Sequence, residues 1–226
     1  MGLNNGFLCV VIPAYNEQGR IEQVVRGAKK FAHEVIVVDD GSSDETSNVA
    51  AGAGATVVRH AHNRGKGESL RTGFSYARAR GYRTVIAMDA DCQHDAEEIP
   101  KLLTAFERSH ADVIIGSRMR QPTGMPLSRQ FTNRLMSAIL SILVKKTCSD
   151  TQSGFRVIDL TRMDALPLKA RRFDWESEFF IRAVRAGMSV REVEIRSIYS
   201  VESQSKIKVL SETVRFIILV VRNIVS

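Results

Sequence analysis

Short apolar runs alternate along the chain with stretches whose apolar residues recur every three or four positions, a pattern that predicts strands followed by helices. Phe7–Pro13 is an apolar run, read as a buried strand. Ile21, Val24, Val25 and Ala28 then have helical spacing. Val35–Val38 predicts a second strand, stopped by Asp39-Asp40-Gly41-Ser42-Ser43. Those residues make a turn and cap a helix beginning near Asp44. Thr56–Arg59 is a short third strand, and Leu70, Phe74 and Ala77 mark the inner face of the next helix. Thr84–Met88 predicts a fourth strand and Val113–Gly116 a fifth. Between them, Ile99, Leu102, Leu103 and Phe106 mark a helix, with Pro100 tolerable in its first turn. Such alternation predicts an α/β fold, a mostly parallel central sheet with helices on both faces. The chain has no internal repeat and no low-complexity linker.

After the fifth strand the pattern changes. Met119–Pro126 is rich in turn formers and is predicted to be a mobile loop. Leu135–Val144 is strongly apolar, preceded by Arg129 and Arg134 and followed by Lys145 and Lys146. Ile207, Leu210, Val214, Ile217, Val221 and Ile224 repeat at 3,4,3,4,3 spacing, and Phe216–Val221 is apolar on all sides. Neither stretch reaches the roughly 20 residues needed to span a bilayer. Each reads either as a core helix or as an amphipathic helix lying in the membrane interface. The last has a third reading, as a contact for a second copy or a membrane-anchoring partner. The expected division is therefore a catalytic domain, 1–206, and a C-terminal amphipathic helix, 207–226.

A length of 226 residues suits one domain with a full core. The net charge of +7 favours anionic partners such as membrane surfaces, phosphorylated substrates or nucleic acid. Nucleic acid is the least expected, because aromatic residues make up only 7% and the arginines are scattered rather than interleaved with them. Cys9, Cys92 and Cys148 lie far apart without metal-ligand spacing and read as reduced thiols of a cytoplasmic protein. The N-terminus shows no basic region followed by a long apolar stretch, so no signal peptide is expected.

Asp89-Ala90-Asp91 carries the most chemical information. A buried strand ending in Asp-x-Asp places both acids at its carboxyl end, where open α/β sheets bind ligands. Two hard oxygen ligands there suit Mg²⁺ or Mn²⁺ held together with substrate phosphates. The plainer reading is a polar strand end with Asp91 capping the next helix. Gly65-Lys66-Gly67 lacks Walker spacing, yet it is a backbone-accessible loop with a cation at a helix start, able to face a diphosphate or simply to turn in solvent. Gly52-Ala53-Gly54 lies between a helix and a strand, so it is no dinucleotide fingerprint. At successive strand ends, Tyr15 is placed to stack on a base, Glu17 to accept from a ribose hydroxyl and Asp40 to accept from a base N–H.

Val10–Glu17, Val37–Asp44, Asn63–Gly67 and Met88–His94 together resemble family 2 inverting glycosyltransferases with the GT-A fold, and more narrowly the dolichyl-phosphate mannose synthase and polyprenyl-phosphate glycosyltransferase branch. Gly116-Ser117-Arg118, Asp150–Arg156 and Ser205-Lys206 continue the likeness. The resemblance implies that Pro13, Tyr15, Glu17 and Asp40 line a nucleoside pocket, with Lys66, Asp89 and Ala90 beside the nucleotide sugar. It implies a metal and diphosphate site at Asp89, Asp91 and Gln93. It implies an acceptor phosphate held by Arg118, Arg129, Asn133 and Lys206, with Asp91, Arg118 and Arg129 carrying catalysis. The donor is then a nucleotide sugar, GDP-mannose or a UDP-sugar. The acceptor is a polyprenyl phosphate, reached by peripheral attachment to the cytoplasmic membrane face.

Many family 2 enzymes carry an adjacent acidic pair in the later half as general base. Here the nearest equivalent is Asp174-Trp175-Glu176-Ser177-Glu178, with no adjacent pair. A sugar hydroxyl must lose a proton and needs a base. A lipid phosphate is already ionised at pH 7, so the missing pair favours that acceptor over a saccharide extended with Glu176 or Glu178 as base. Both glutamates also read as the acidic side of a helix Phe179–Ala186, or as partners of Arg182 and Arg185.

Overall fold

The computed structural model describes residues 8–119, 122, 124–168, 170, 174–199, 216 and 220. Lys206, and the predicted helix 207–226 apart from Phe216 and Val220, lie outside the described residues. The elements run β1 (Cys9–Ala14), α1 (Ile21–Lys29), β2 (Glu34–Asp39), α2 (Thr46–Gly52), β3 (Thr56–Arg59), α3 (Lys66–Ala79), β4 (Thr84–Ala87), α4 (Ile99–Ser109), β5 (Val113–Ser117), α5 (Leu127–Val144), β6 (Arg156–Asp159), α6 (Trp175–Arg185) and β7 (Val190–Glu194).

The strands form one sheet in the order β3-β2-β1-β4-β6-β5-β7. All neighbours are parallel except β6, which runs antiparallel between β4 and β5. Alternation along β1 divides the core. Cys9 and Val11 pack on one face with Leu70, Phe74, Trp175 and Phe179, while Val10 and Ile12 pack on the other with Ile21, Val25, Ile99 and Leu102. Both faces are covered by helices, so the inner parallel strands β1, β2 and β4 are largely apolar. Among the described residues no helix is long and apolar enough to cross a membrane.

Four elements differ from expectation. β6 and β7 carry no apolar run; each is short, and β7 alternates only weakly (Val190-Arg191-Glu192-Val193-Glu194). The helix expected over Phe179–Ala186 begins at Trp175, so Glu176 and Glu178 occupy its first turn. The helix expected over Leu135–Val144 begins at Leu127. Its buried residues are Asn133, Ser137 and Leu140, with Met136, Ile139, Leu143 and Val144 packed partly buried against the core, while a second set of apolar residues faces outward. Leu127, Phe131, Leu135 and Ile142 are 80%, 69%, 49% and 79% exposed. A pattern reading assigns apolar residues to the core, and here it holds only in part, because Asn133 and Ser137 take inward positions and Ser137 bonds Thr151 of the polar Asp150–Ser153 segment. Phe216 is buried and Val220 packs against the same core cluster as Trp175, so these two positions belong to the core.

Candidate active site

The carboxyl ends of β1, β2 and β4 lie side by side. The β1 and β2 loops are tied together by hydrogen bonds from Asn16 N to Ser42 Oγ (2.9 Å), Ser43 N to Asn16 Oδ1 (2.9 Å) and Glu17 N to Thr46 Oγ1 (2.8 Å). Pro13 is half-buried, and Tyr15 leaves its ring exposed, as a stacking platform must. Glu17 accepts from Arg20 Nη1 at 3.0 Å.

Asp40 has a task that its position in the sequence did not disclose. It is buried; Oδ1 bonds His60 Nδ1 (2.7 Å) and accepts from Arg64 N (2.9 Å), while Oδ2 accepts from Gly65 N (2.7 Å). His60 Nε2 continues the chain to Thr72 Oγ1 at 2.9 Å. The carboxylate therefore anchors the loop that opens α3 and keeps one of about four lone-pair sites for a ligand. Gly65 makes this possible at φ 97, a conformation that side chains resist.

That anchored loop delivers Lys66 into the interior. Its Nζ lies 2.5 Å from Asp89 Oδ1 and 2.5 Å from Glu176 Oε1. Burial opposes the ammonium charge, but the two carboxylates more than offset it and hold Lys66 above the usual lysine range. Burial would likewise raise Asp89; Lys66 overrides it and keeps Asp89 well below the usual carboxylate range. Asp89 also packs directly on Gly154, where an added Cβ would stand 2.5 Å from Oδ2. Lys66, expected beside the nucleotide sugar, bridges Asp89 after β4 and Glu176 on α6 in this structure.

Neither glutamate of α6 is a solvent-facing acidic side. Glu176 is buried against Lys66, and Glu178 Oε2 accepts from Ala170 N at 2.6 Å. The first turn of α6 is set by Arg156, fully buried on β6. Its guanidinium donates to Ser153 O (2.8 Å), Thr151 O (2.8 Å) and Glu176 O (3.3 Å), and lies 5.2 Å from the Phe179 ring centroid.

The three expected metal residues are placed differently. Asp91 is half-buried and its Oδ1 accepts from Gln93 N at 3.0 Å. Gln93 is buried, and its carbonyl accepts from Ile198 N at 3.0 Å. Asp89 is committed to Lys66, and Ala90 between the acids is buried. Among the described residues no group of three or more His, Cys, Asp or Glu is arranged to hold an ion alone. Asp91 still fits a hard cation whose remaining ligands are diphosphate oxygens and water, the usual donor set of Mg²⁺.

Of the residues expected at the acceptor, Arg118 is buried and bidentate on Asp150, Nε to Oδ2 at 2.8 Å and Nη2 to Oδ1 at 2.9 Å. Burial opposes both charges, and each residue's pairing with the other keeps both ionised. Arg118 thus brings a fixed, largely neutralised fork. Arg129, on α5, forms no ion pair with another described residue; its guanidinium carbon stands 5.9 Å from the Tyr199 ring centroid. Asn133 is buried one turn along the same helix. Sequence reasoning missed His60, Asp150, Arg156 and Tyr199 as parts of this site. The charged ones lay within quoted motifs or beside them, and their burial was the missing signal.

Residues 9–161 match the family described as Glycosyl transferase family 2. The chain is 29% identical over 220 residues to the UDP-N-acetylglucosamine–dolichyl-phosphate N-acetylglucosaminyltransferase of Methanococcus voltae, covering 87% of this chain and 88% of that one. It is 30% identical over 215 residues to the undecaprenyl-phosphate mannosyltransferase of Micrococcus luteus, with 87% and 85% covered. Its fold matches that of glucosyl-3-phosphoglycerate synthase from Mycobacterium tuberculosis, solved with Mn²⁺, UDP and phosphoglyceric acid, at a TM-score of 0.70 and 21% identity over 96% of this chain and 76% of that one.

Proposed function

Since the chain belongs to glycosyl transferase family 2, we propose that it is an inverting, metal-dependent enzyme that moves a sugar from a nucleotide sugar, GDP-mannose or a UDP-sugar, to a polyprenyl phosphate. The observation that carries this reading is the state of the α6 glutamates. Glu176 is paired with Lys66 Nζ at 2.5 Å, and Glu178 Oε2 accepts from Ala170 N. A base that must take a proton from a sugar hydroxyl is poorly served by a buried carboxylate already engaged with a lysine or a backbone N–H. A phosphate acceptor has no such proton to lose; it needs orientation and charge neutralisation. The polyprenyl-phosphate substrates of the two similar enzymes support the same acceptor.

In this reading Tyr15 and Glu17 receive the nucleoside. Asp91 contributes the protein carboxylate to a Mg²⁺ or Mn²⁺ site. The ion, when bound, neutralises charge on the leaving diphosphate. Arg129, with Asn133 beside it, meets the acceptor phosphate, and Arg suits this because its planar fork matches phosphate oxygens. The acceptor oxygen attacks the anomeric carbon as the nucleoside diphosphate departs. Closure of the loop Met119–Pro126 over the site would exclude water and limit hydrolysis of the donor.

The outward stripe Leu127, Phe131, Leu135 and Ile142 lies on the helix that carries Arg129 and Asn133. Attached to the cytoplasmic membrane face, that stripe would bring the polar side of α5 to a lipid-borne phosphate. A second copy or an anchoring partner is the alternative cover for it. The test is product analysis by the purified chain with UDP- and GDP-sugars plus Mn²⁺, offering a polyprenyl phosphate or free saccharides. A glycosylated polyprenyl phosphate is expected. Extension of saccharides with no transfer to the lipid would overturn the reading.

A further inference from the structure

The segment that follows β7 returns alongside the Asp91 loop. Ile198 N donates to Gln93 O at 3.0 Å, and His94 and Ser197 form an antiparallel bridge. This seats Tyr199 between the Asp91 loop, Gly124 and Arg129 of α5. Gly124 approaches so closely that an added Cβ would stand 3.0 Å from Tyr199 Cβ. Arg129 lies over the ring at 5.9 Å.

The phenolic hydroxyl is buried and has no hydrogen-bond partner. Burying a hydroxyl unpaired costs the folded state its hydration with nothing in return. A group kept that way, beside an arginine that forms no ion pair with another described residue and close enough to Arg118 and Asp91 to feel their charges, is set for a ligand. The ligand's chemistry follows from its neighbours: an oxyanion that takes a neutral O–H donor from below and a guanidinium from the side. Burial pushes the phenol up, so it remains a donor at neutral pH.

We propose that Tyr199 is an acceptor-binding residue whose hydroxyl donates to a phosphate oxygen of the acceptor held by Arg129. This rests on the phosphate-acceptor reading above and adds a contact that makes the site selective for a phosphate monoester over a neutral hydroxyl acceptor. The donor diphosphate is the other possible source of such an oxyanion. The position of Arg129 on α5, beside the outward apolar stripe, favours the acceptor.

The test compares wild type with Tyr199→Phe in the full chain, which keeps the ring and its contact with Arg129. In transfer assays with a polyprenyl phosphate in detergent micelles, KM for the lipid should rise about tenfold. KM for the nucleotide sugar should stay within twofold. The melting temperature should not fall, because the hydroxyl bonds nothing in the protein; a merely structural role would lower it. An unchanged lipid KM, or a rise in the nucleotide-sugar KM instead, would overturn the proposal. A second measurement separates it from the function reading. With nucleoside diphosphate and Mn²⁺ saturating, inorganic phosphate should raise the melting temperature of wild type and raise that of Tyr199→Phe much less. Equal shifts, or none in wild type, overturn the Tyr199 contact, whereas a wild type that responds to phosphate but transfers nothing to the lipid overturns only the acceptor assignment.

Discussion

Lys66→Met would remove the cation from between Asp89 and Glu176 while nearly conserving side-chain volume. Both contacts are 2.5 Å, and the side chains of Lys66, Asp89 and Glu176 are 15%, 24% and 4% exposed. At that burial the ion pairs escape most of the screening that reduces surface pairs to under about 1 kcal/mol. Removing one member of a buried pair typically costs about 3–5 kcal/mol, because the partner is left charged and uncompensated. Here two carboxylates are left together, and one of them must take up a proton. The low end, about 3 kcal/mol at neutral pH, is expected. For a domain of this length that corresponds to a fall in Tm of roughly 6–12 °C.

The sign with pH follows from Asp89. Burial works against its charge, but Lys66 holds its folded pKa below the usual range. Its contribution is therefore present above the unfolded carboxylate pKa of about 3.9 and fades as pH falls through the folded value. In the variant, a carboxyl with a raised pKa loses stability as pH climbs past about 4. The gap between the two proteins should accordingly widen from pH 4.5 to pH 7.5. Urea unfolding at the two pH values measures it. Adding Glu176→Gln to Lys66→Met should recover part of the loss at pH 7.5, since it removes one of the facing charges. A loss under about 1 kcal/mol, equal at both pH values, would refute the claim that this bridge joins β4 to α6.

Asp91→Asn should lower kcat at least about a hundredfold with Mg²⁺ or Mn²⁺ while leaving Tm unchanged; near-normal turnover would remove Asp91 from the metal site. Glu178→Gln keeps an acceptor for Ala170 N, so it should cost roughly 1 kcal/mol in urea unfolding and retain most transfer to a polyprenyl phosphate; a thousandfold drop in kcat without unfolding would indicate a general base. Paired Phe131→Asp and Leu135→Asp changes should abolish flotation with anionic liposomes at low salt without altering Tm, and salt alone should weaken flotation of the wild type. Recovery of the variant equal to wild type would assign the α5 stripe to a protein partner.

The first five strands, the helices between them and the Asp-x-Asp at the end of β4 were legible in the sequence, because buried parallel strands need continuous apolar runs and their ends need turn chemistry. The alignment of Tyr15, Glu17, Asp40 and Asp89 on one sheet edge followed from that order alone. What each polar side chain does there did not. Asp40 reads as a ligand contact until its oxygens are seen holding Gly65 and His60, and Lys66 reads as a phosphate cation until Glu176 arrives from 110 positions away. Glu176 comes from α6, which follows the antiparallel strand β6 inserted beside β4, a four-residue strand with no distinctive pattern. The mixed polarity of the inward side of α5 belongs to the same class. Periodicity identified an amphipathic helix, but which side faced inward depended on the polar Asp150–Ser153 segment packed against it. A chain's own pattern determines which elements form, through short-range sterics and burial. Pairing energies of buried charges and hydroxyls depend on neighbours distant in sequence, so the tertiary structure alone decided which candidates were available to a ligand and which were already engaged.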